Sequence, residues 1–397
     1  MAEHPFFTPQ TQDFILQHRT DEVRMLALQA SRYPLVDMQA AVQQIAGWQM
    51  ARRKLPLWSD TPDLIYPPHL SMEQCSSQIT ALYKAEVMGE GHTLADLTGG
   101  FGVDCSYLAK GYKEVFYVEH SSELCQLARH NFPLLCLPQI TVIQAESEDF
   151  LQEMQPVDSI FLDPARRDSH GGRTVAISDC TPDVSALHNL LLRKARRVMV
   201  KLSPMLDISL ALRELPAVGQ VHVVAVKNEC KELLFVLEQD VQPLTYHCVN
   251  LGEEGSASAF VFTPEEEQGA ACAYTAQVGG YLYEPNSALL KAGAFRCPAV
   301  RFNLKKLHPS SHLYTSDTLV KDFPGRSFCV KGVYGFGKKE LKALSAALTR
   351  ANLTVRNFPS SVADLRKRLK LAEGGNDYLF ATTLNDGRKV LIWGEKV

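Results

Sequence analysis

Between residues 93 and 237 short apolar runs alternate with longer amphipathic stretches, and this rhythm constrains the fold more than any other feature. The runs are Thr93–Leu97, Val115–Glu119, Ile140–Ala145, Ser159–Asp163, Val198–Leu202, Val221–Val226 and Leu233–Leu237. Intervals of 13 to 20 residues, with one of 34 between the fourth and fifth runs, most of them helix-like, separate the first six, which predicts parallel strands joined by helical crossovers. Only Lys227–Glu232 lies between the last two. So short a link cannot carry a right-handed crossover, so the seventh strand must turn back antiparallel to the sixth. The expectation is an α/β, doubly wound sheet whose last strand reverses.

Around this centre the pattern changes. Up to about residue 70 the apolar residues Phe14, Ile15, Val23, Leu26, Leu28, Val36, Met38, Val42, Ile45 and Trp48 recur at helical spacing, which predicts an N-terminal helical domain, 1–70. Pro56, Pro62, Pro67 and Pro68 make Leu57–Leu70 a connector without regular structure. A helix over Met72–Met88 follows, with Ser71 as N-cap and Gln74 at capping-box spacing. The sheet domain then runs over 71–240 and a linker or insert over 241–280. Two small α+β units follow, 281–324 and 325–397, with helices over Lys338–Arg350 and Ser361–Leu371.

Charge divides along the same lines. Residues 1–280 carry 21 Lys and Arg against 35 Asp and Glu, whereas residues 281–397 carry 20 against 9. A basic tail on an acidic body suggests a polyanion partner for the tail, most often nucleic acid; solvated basic faces are the equally weighted alternative. No apolar run is long enough for a membrane span and no secretory signal precedes the first helix, so a cytoplasmic protein without membrane contact is expected. The 10 cysteines never form C-x-x-C and read as reduced, mostly buried thiols. No His or Cys pairing has metal-ligand spacing, so no metal is expected.

The first strand ends in Asp96-Leu97-Thr98-Gly99-Gly100-Phe101-Gly102. Glycines after a strand let a backbone approach a ligand, and the following helix offers free N–H groups. A dinucleotide fingerprint would need a third glycine where Cys105 stands, so a pyrophosphate is not specified. Asp96 would repel phosphate and suits a ligand with an ammonium group, such as S-adenosylmethionine. Glu119 closes the second strand, where a carboxylate can accept ribose hydroxyls, and Glu146 ends the third, within reach of an adenine amino group.

Together DLTGGFG, the acid of VEH and the closing hairpin resemble a class I S-adenosylmethionine-dependent methyltransferase. The resemblance covers about residues 72–240 and implies a Rossmann-like seven-stranded methyltransferase sheet. It implies cofactor contacts at Asp96, Thr98, Gly100, Gly102, Glu119 and Glu146; Thr98 replaces the glycine usual in the family. The preceding EQCSSQITALY is similar to the helix leading into trimethylguanosine-synthase-like methyltransferases, which adds Ser76 and Ser77 at the methionine end. A serine stands there for the family's threonine and its proline is missing.

The fourth strand ends in Asp163-Pro164-Ala165-Arg166. Methyl transfer needs a nucleophile held about 3 Å from the reacting carbon, and a strand-end carboxylate followed by proline can aim an amino lone pair. The segment resembles the [DN]-P-P-[YFW] motif of methyltransferases acting on amino groups of bases, with Ala165 and Arg166 replacing the second proline and the aromatic. This implies Asp163, Pro164 and Arg166 as catalytic residues, Arg166 stacking or gripping a phosphate. D-P-A-R is also similar to RNA 5-methyluridine methyltransferases, but their cysteine nucleophile is missing from Val200-Lys201-Leu202-Ser203-Pro204. Attack by nitrogen is therefore favoured. Arg166, Arg167 and Gly171-Gly172-Arg173 read as a substrate lid.

The tail interleaves Tyr281, Tyr283, Phe295, Phe302, Tyr334, Phe336 and Phe358 with basic residues, most of the aromatics serving a core. Arg366, Lys367, Arg368 and Lys370 lie on the polar side of one helix, the piece expected on RNA. The tail resembles a THUMP-like domain attached through a ferredoxin-like unit. The expected function is N-methylation of an RNA base. The alternatives are methylation of a small molecule or protein, and a non-catalytic protein that binds S-adenosylmethionine and RNA.

Overall fold

The computed structural model describes residues 6–166, 177–240, 242–252 and 257–397. The chain divides into two compact units, one of Met1–Gly219 with Leu234–Gln242 and one of Gln220–Leu233 with Pro243–Val397.

The first unit holds strands β1 (Gly91–Asp96), β2 (Tyr112–Glu119), β3 (Ile140–Gln144), β4 (Val157–Leu162) and β5 (Ala195–Leu202). It also holds the base of a hairpin made by β6 (Val218–Val226) and β7 (Glu229–Glu238), and the strand order is β3-β2-β1-β4-β5-β7-β6. Strands β1 to β5 pair in parallel. Val198, Met199, Val200 and Leu233 to Leu237 are fully buried, which explains unbroken apolar runs where a one-faced sheet would alternate. Lys227 and Asn228 both adopt positive φ, 51° and 64°, forming the tight two-residue turn that joins antiparallel strands. Register sets Asp96 beside Tyr117 and Phe161, and Glu119 beside Gln144, so the carboxyl ends stand level. The order reverses between β1 and β4, which opens a crevice there.

Ahead of the sheet lie helices Pro9–His18, Val23–Ala27 and Met38–Lys54. Phe14, Leu26, Ala41 and Ile45 form their core, but Leu28 is exposed, contrary to the periodicity. Residues expected to be irregular include a one-turn helix, Pro56–Asp60, because proline at a first helical position forfeits no hydrogen bond. It buries Trp58 edge-on to Phe101, with ring centroids 4.8 Å apart. The single helix expected over Met72–Met88 is two, His69–Gln74 and Gln78–Met88. Cys75 is extended, and Ser77, not Ser71, caps the second helix by accepting from the Thr80 N–H at 3.4 Å.

In the second unit β8 (Thr245–Leu251) runs parallel to β6, and β9 (Ala257–Phe262) pairs antiparallel with β8. A seven-stranded sheet follows, in the order Lys305–Lys306, Tyr314–Ser316, Tyr281–Pro285, Gly325–Gly335, Lys389–Lys396, Asp377–Thr383, Asn352–Arg356. Strands from 281–324 and from 325–397 thus share one sheet. Leu379 and Ala381 face the helices Lys338–Ala347 and Val362–Leu369, while Phe380 packs on the other side with Leu282 and Phe328.

Candidate functional site

The turn after β1 is held at three points. An Asp96 carboxylate oxygen accepts from the Thr98 N–H at 3.1 Å, the Gly99 N–H donates to the Val118 carbonyl at 2.9 Å, and the Gly100 N–H donates to Glu119 Oε2 at 2.8 Å. The three glycines differ in purpose. A Cβ on Gly99 would stand 2.3 Å from the Tyr117 ring, and one on Gly102 2.8 Å from Phe132, so packing excludes side chains at both. Gly100, at φ +56°, meets nothing nearer than 3.8 Å and leaves open space above the turn. Thr98, the departure from a glycine, accepts from the Asp163 N–H at 2.6 Å and so ties the β1 turn to the end of β4.

Negative charge accumulates at these strand ends. Glu119 is nearly buried and accepts from the Gly100 and Ser121 N–H groups, with His120 Nδ1 3.1 Å away. Asp96 is buried, and burial pushes its carboxyl well above the ordinary range, reinforced by the charges of Asp104, Asp163 and Glu119. Such a carboxyl is suited to a cation arriving beside it. Glu146 is placed differently from the expectation. β3 stops at Gln144, and Glu146 is the exposed N-cap position of the helix Ser147–Glu153.

Past β4, Asp163 is 39% exposed in its side chain while Pro164 is buried. Ala165–Arg166 forms a two-residue ribbon with Cys180–Thr181. Arg167, Gly171, Gly172 and Arg173 of the expected lid lie outside the described residues, as does the Arg166 side chain.

Three charged residues that sequence reasoning missed complete this corner. Lys201 Nζ, from the end of β5, donates to Asp163 Oδ2 at 2.5 Å and lies 3.6 Å from Asp104 Oδ2. Lys84, fully buried, approaches Asp104 Oδ1 at 3.3 Å, an ion pair without hydrogen-bond geometry. Burial pushes the Asp104 carboxyl up, but Lys84, Lys201 and Ser76 outweigh it and hold the group below the ordinary range. The signal was a lysine within the apolar run VMVKL and another in the helix before β1. Ser76 donates to Asp104 at 2.8 Å and accepts from Lys84 at 3.1 Å, so it belongs to this network, whereas Ser77 is the helix cap.

In the second unit Tyr283 is fully buried, as core. Of the four expected cations three lie on the helix Val362–Leu369, whereas Lys370, expected on the same helix, is its C-cap at φ 55°. Arg366 donates to the Ala351 carbonyl at 3.3 Å, Arg368 lies 4.4 Å over the Phe336 ring, and Lys367 and Lys370 are exposed. Phe336 meets Phe358 edge to face at 4.9 Å. Among the described residues no group of three or more His, Cys, Asp and Glu could hold a metal ion, and no helix is long and apolar enough to cross a membrane.

A ferredoxin-like domain family matches residues 281–324 and a THUMP domain-like family residues 325–396. Among solved structures, a "putative methyltransferase" from Porphyromonas gingivalis W83 is 36% identical, over 98% of this chain and 97% of that one, with a TM-score of 0.88. An rRNA methylase from Streptococcus thermophilus is 16% identical over 43% of this chain and 94% of its own, with a TM-score of 0.30. A SAM-dependent O-methyltransferase from Thermotoga maritima is 17% identical over 44% and 72%, with a TM-score of 0.31. Comparison with curated proteins gives no match.

Proposed function

The chain belongs to the class I methyltransferase family represented by the Porphyromonas gingivalis protein, and from that premise we propose that it methylates a nitrogen of an RNA base using S-adenosylmethionine. The observation that carries the cofactor reading is the turn at Asp96 to Gly102, where a bare Gly100 faces open space beside an unbalanced buried carboxyl. When bound, S-adenosylmethionine supplies a methyl carbon activated by its sulfonium. Asp96 offsets the positive charge of the ligand. Glu119 Oε2, which accepts from the Gly100 amide, keeps a second lone pair for a ribose hydroxyl, while Oε1 accepts from the Ser121 amide with His120 Nδ1 3.1 Å away. Gly100 leaves room for the nucleoside, and Gly102 opens the helix behind it. Glu146, at the N-cap of the helix that follows β3, is assigned the adenine side.

For the acceptor, Asp163 is the exposed carboxylate at the switch point. It accepts a hydrogen bond from the amino group and aims its lone pair, with Pro164 fixing the turn. Arg166 is assigned the base or its phosphate. The excess of Lys and Arg over residues 281–397, and the likeness of 325–396 to THUMP domains, support RNA as the polymer.

The test is incubation of the full chain with labelled S-adenosylmethionine and fractionated cell extract. Label is expected in RNA, and Asp163→Ala should abolish it while affinity for S-adenosylhomocysteine stays within a few-fold. Label confined to protein or to small solutes rejects the RNA reading.

A further inference from the structure

We infer that Lys201 is a positioning residue that aims Asp163, and that Asp104, Lys84 and Ser76 hold Lys201 from behind. The inference rests on the acceptor role proposed for Asp163. That carboxylate stands one residue beyond the end of β4 and is more than a third exposed, so its own backbone does little to fix its rotamer. β5 runs parallel beside β4 with Val200 opposite Leu162, which brings the next residue, Lys201, abreast of Asp163. Its ammonium lies 2.5 Å from Asp163 Oδ2 and 3.6 Å from Asp104 Oδ2, with only 13% of the side chain exposed.

Asp104 is itself fixed. It accepts from the Ser76 hydroxyl at 2.8 Å and pairs in charge with the fully buried Lys84 ammonium at 3.3 Å, and Lys84 donates in turn to Ser76 at 3.1 Å. Lys201 of β5, Lys84 of the helix Gln78–Met88 and Ser76 just before that helix therefore meet on Asp104 of the helix Val103–Leu108, and Lys201 links this group to Asp163 at the end of β4. Charges of alternating sign run from Lys84 through Asp104 and Lys201 to Asp163. Buried ion pairs of this kind are often no more stabilising than well-packed apolar residues, so stability alone gives little reason for the arrangement. Orientation does. With Oδ2 taken by Lys201, Oδ1 is left to face the acceptor, and a misaim of 1 Å at such a point can cost about a hundredfold in rate.

The experiment compares the full chain with Lys201→Met, Lys201→Arg, Asp163→Asn and the double variant Lys201→Met/Asp163→Asn. Each is given tritiated S-adenosylmethionine and deproteinised total RNA. S-adenosylhomocysteine affinity and melting temperature are read in parallel. Lys201→Met should lower kcat by about a hundredfold with KM for RNA and product affinity within threefold, and Lys201→Arg should regain at least tenfold of that loss. The double variant should be no slower than Asp163→Asn alone, because the lysine acts through the carboxylate. Turnover of Lys201→Met within threefold of the parent overturns the inference, as do additive losses in the double variant or a fall in product affinity in step with turnover. Full activity of Asp163→Asn instead removes the acceptor role of Asp163, and the inference with it. If label enters protein and not RNA, the RNA reading falls, and the same ratios measured on that acceptor still decide the role of Lys201.

Discussion

At the turn after β1, neighbouring glycines answer to different forces, and substitution should separate them. Gly99→Ala drives a methyl into the Tyr117 ring, 2.3 Å from the ideal Cβ, in a core where Tyr117 is fully buried. Overpacking of this kind costs about 1–3 kcal/mol, which urea denaturation would read. Gly100→Ala meets open space and carries only the penalty of positive φ, about 1 kcal/mol. Its effect should fall on S-adenosylhomocysteine affinity, measured by calorimetry, because the added methyl occupies the room above the turn. Equal effects of both substitutions on stability, with binding unchanged, would remove Gly100 from the site. Asp96 makes a second case. Burial raises its carboxyl well above 3.8, so it contributes stability below that value that is lost as pH rises through the folded value. Asp104 is held low and acts in the opposite sense, its contribution present above the unfolded value and lost as pH falls. The difference between the parent and Asp96→Asn isolates the first. Relative to the parent, the ligand-free variant should gain melting temperature at pH 8 over pH 4 and bind the cofactor product more weakly. A difference independent of pH would contradict the burial argument.

Among the elements, the helices before β1 depend on partners remote in sequence. Lys84→Met leaves Asp104 buried with one cation fewer, and losing one partner of a buried pair costs about 3–5 kcal/mol. Lys84→Met/Asp104→Asn should regain at least half of that in denaturation, since the uncompensated charge goes with it. A double variant as unstable as the single one would show that Lys84 acts through packing. The same long-range contacts explain what the sequence withheld. Strand positions were legible because burial on both faces makes β5 and β7 continuous apolar runs, and the reversal was legible because Lys227–Glu232 is too short for a crossover. The break at Cys75 was not. Periodicity carries Met72–Met88 through as one helix, whereas Ser76 turns towards Asp104, 28 residues on, and Ser77 begins a new cap. Glu119 could be found at a strand end, but Lys201 gains its meaning only from β4–β5 register. Local pattern reports which face is buried; it does not report which charge meets which.

Across the whole molecule, charge is segregated along the chain, and that segregation makes a quantitative demand. Residues 281–397 hold 20 Lys and Arg against 9 Asp and Glu, whereas the rest hold 21 against 35. If this excess meets RNA phosphates, counterion release must give log–log salt dependence with a negative slope of about 0.7 per phosphate contact for single strands. The helix Val362–Leu369 allows the contacts to be assigned, because its cations are not equivalent. Arg366 is committed to the Ala351 carbonyl and should be left in place. Lys367 and Lys370 are exposed, and Arg368 is spread over the Phe336 ring, presenting a flat cation beside the aromatic pair Phe336 and Phe358. Reversing all three, Lys367→Glu, Arg368→Glu and Lys370→Glu, should weaken RNA binding at least tenfold at about 0.15 M salt and flatten the slope by about 2. Affinity for S-adenosylhomocysteine should not change. Fluorescence anisotropy with a labelled RNA across a salt series measures both quantities. A variant that binds more weakly with the parent slope has lost shape and not phosphate contacts. One that binds as the parent does places the polymer on another part of the basic excess.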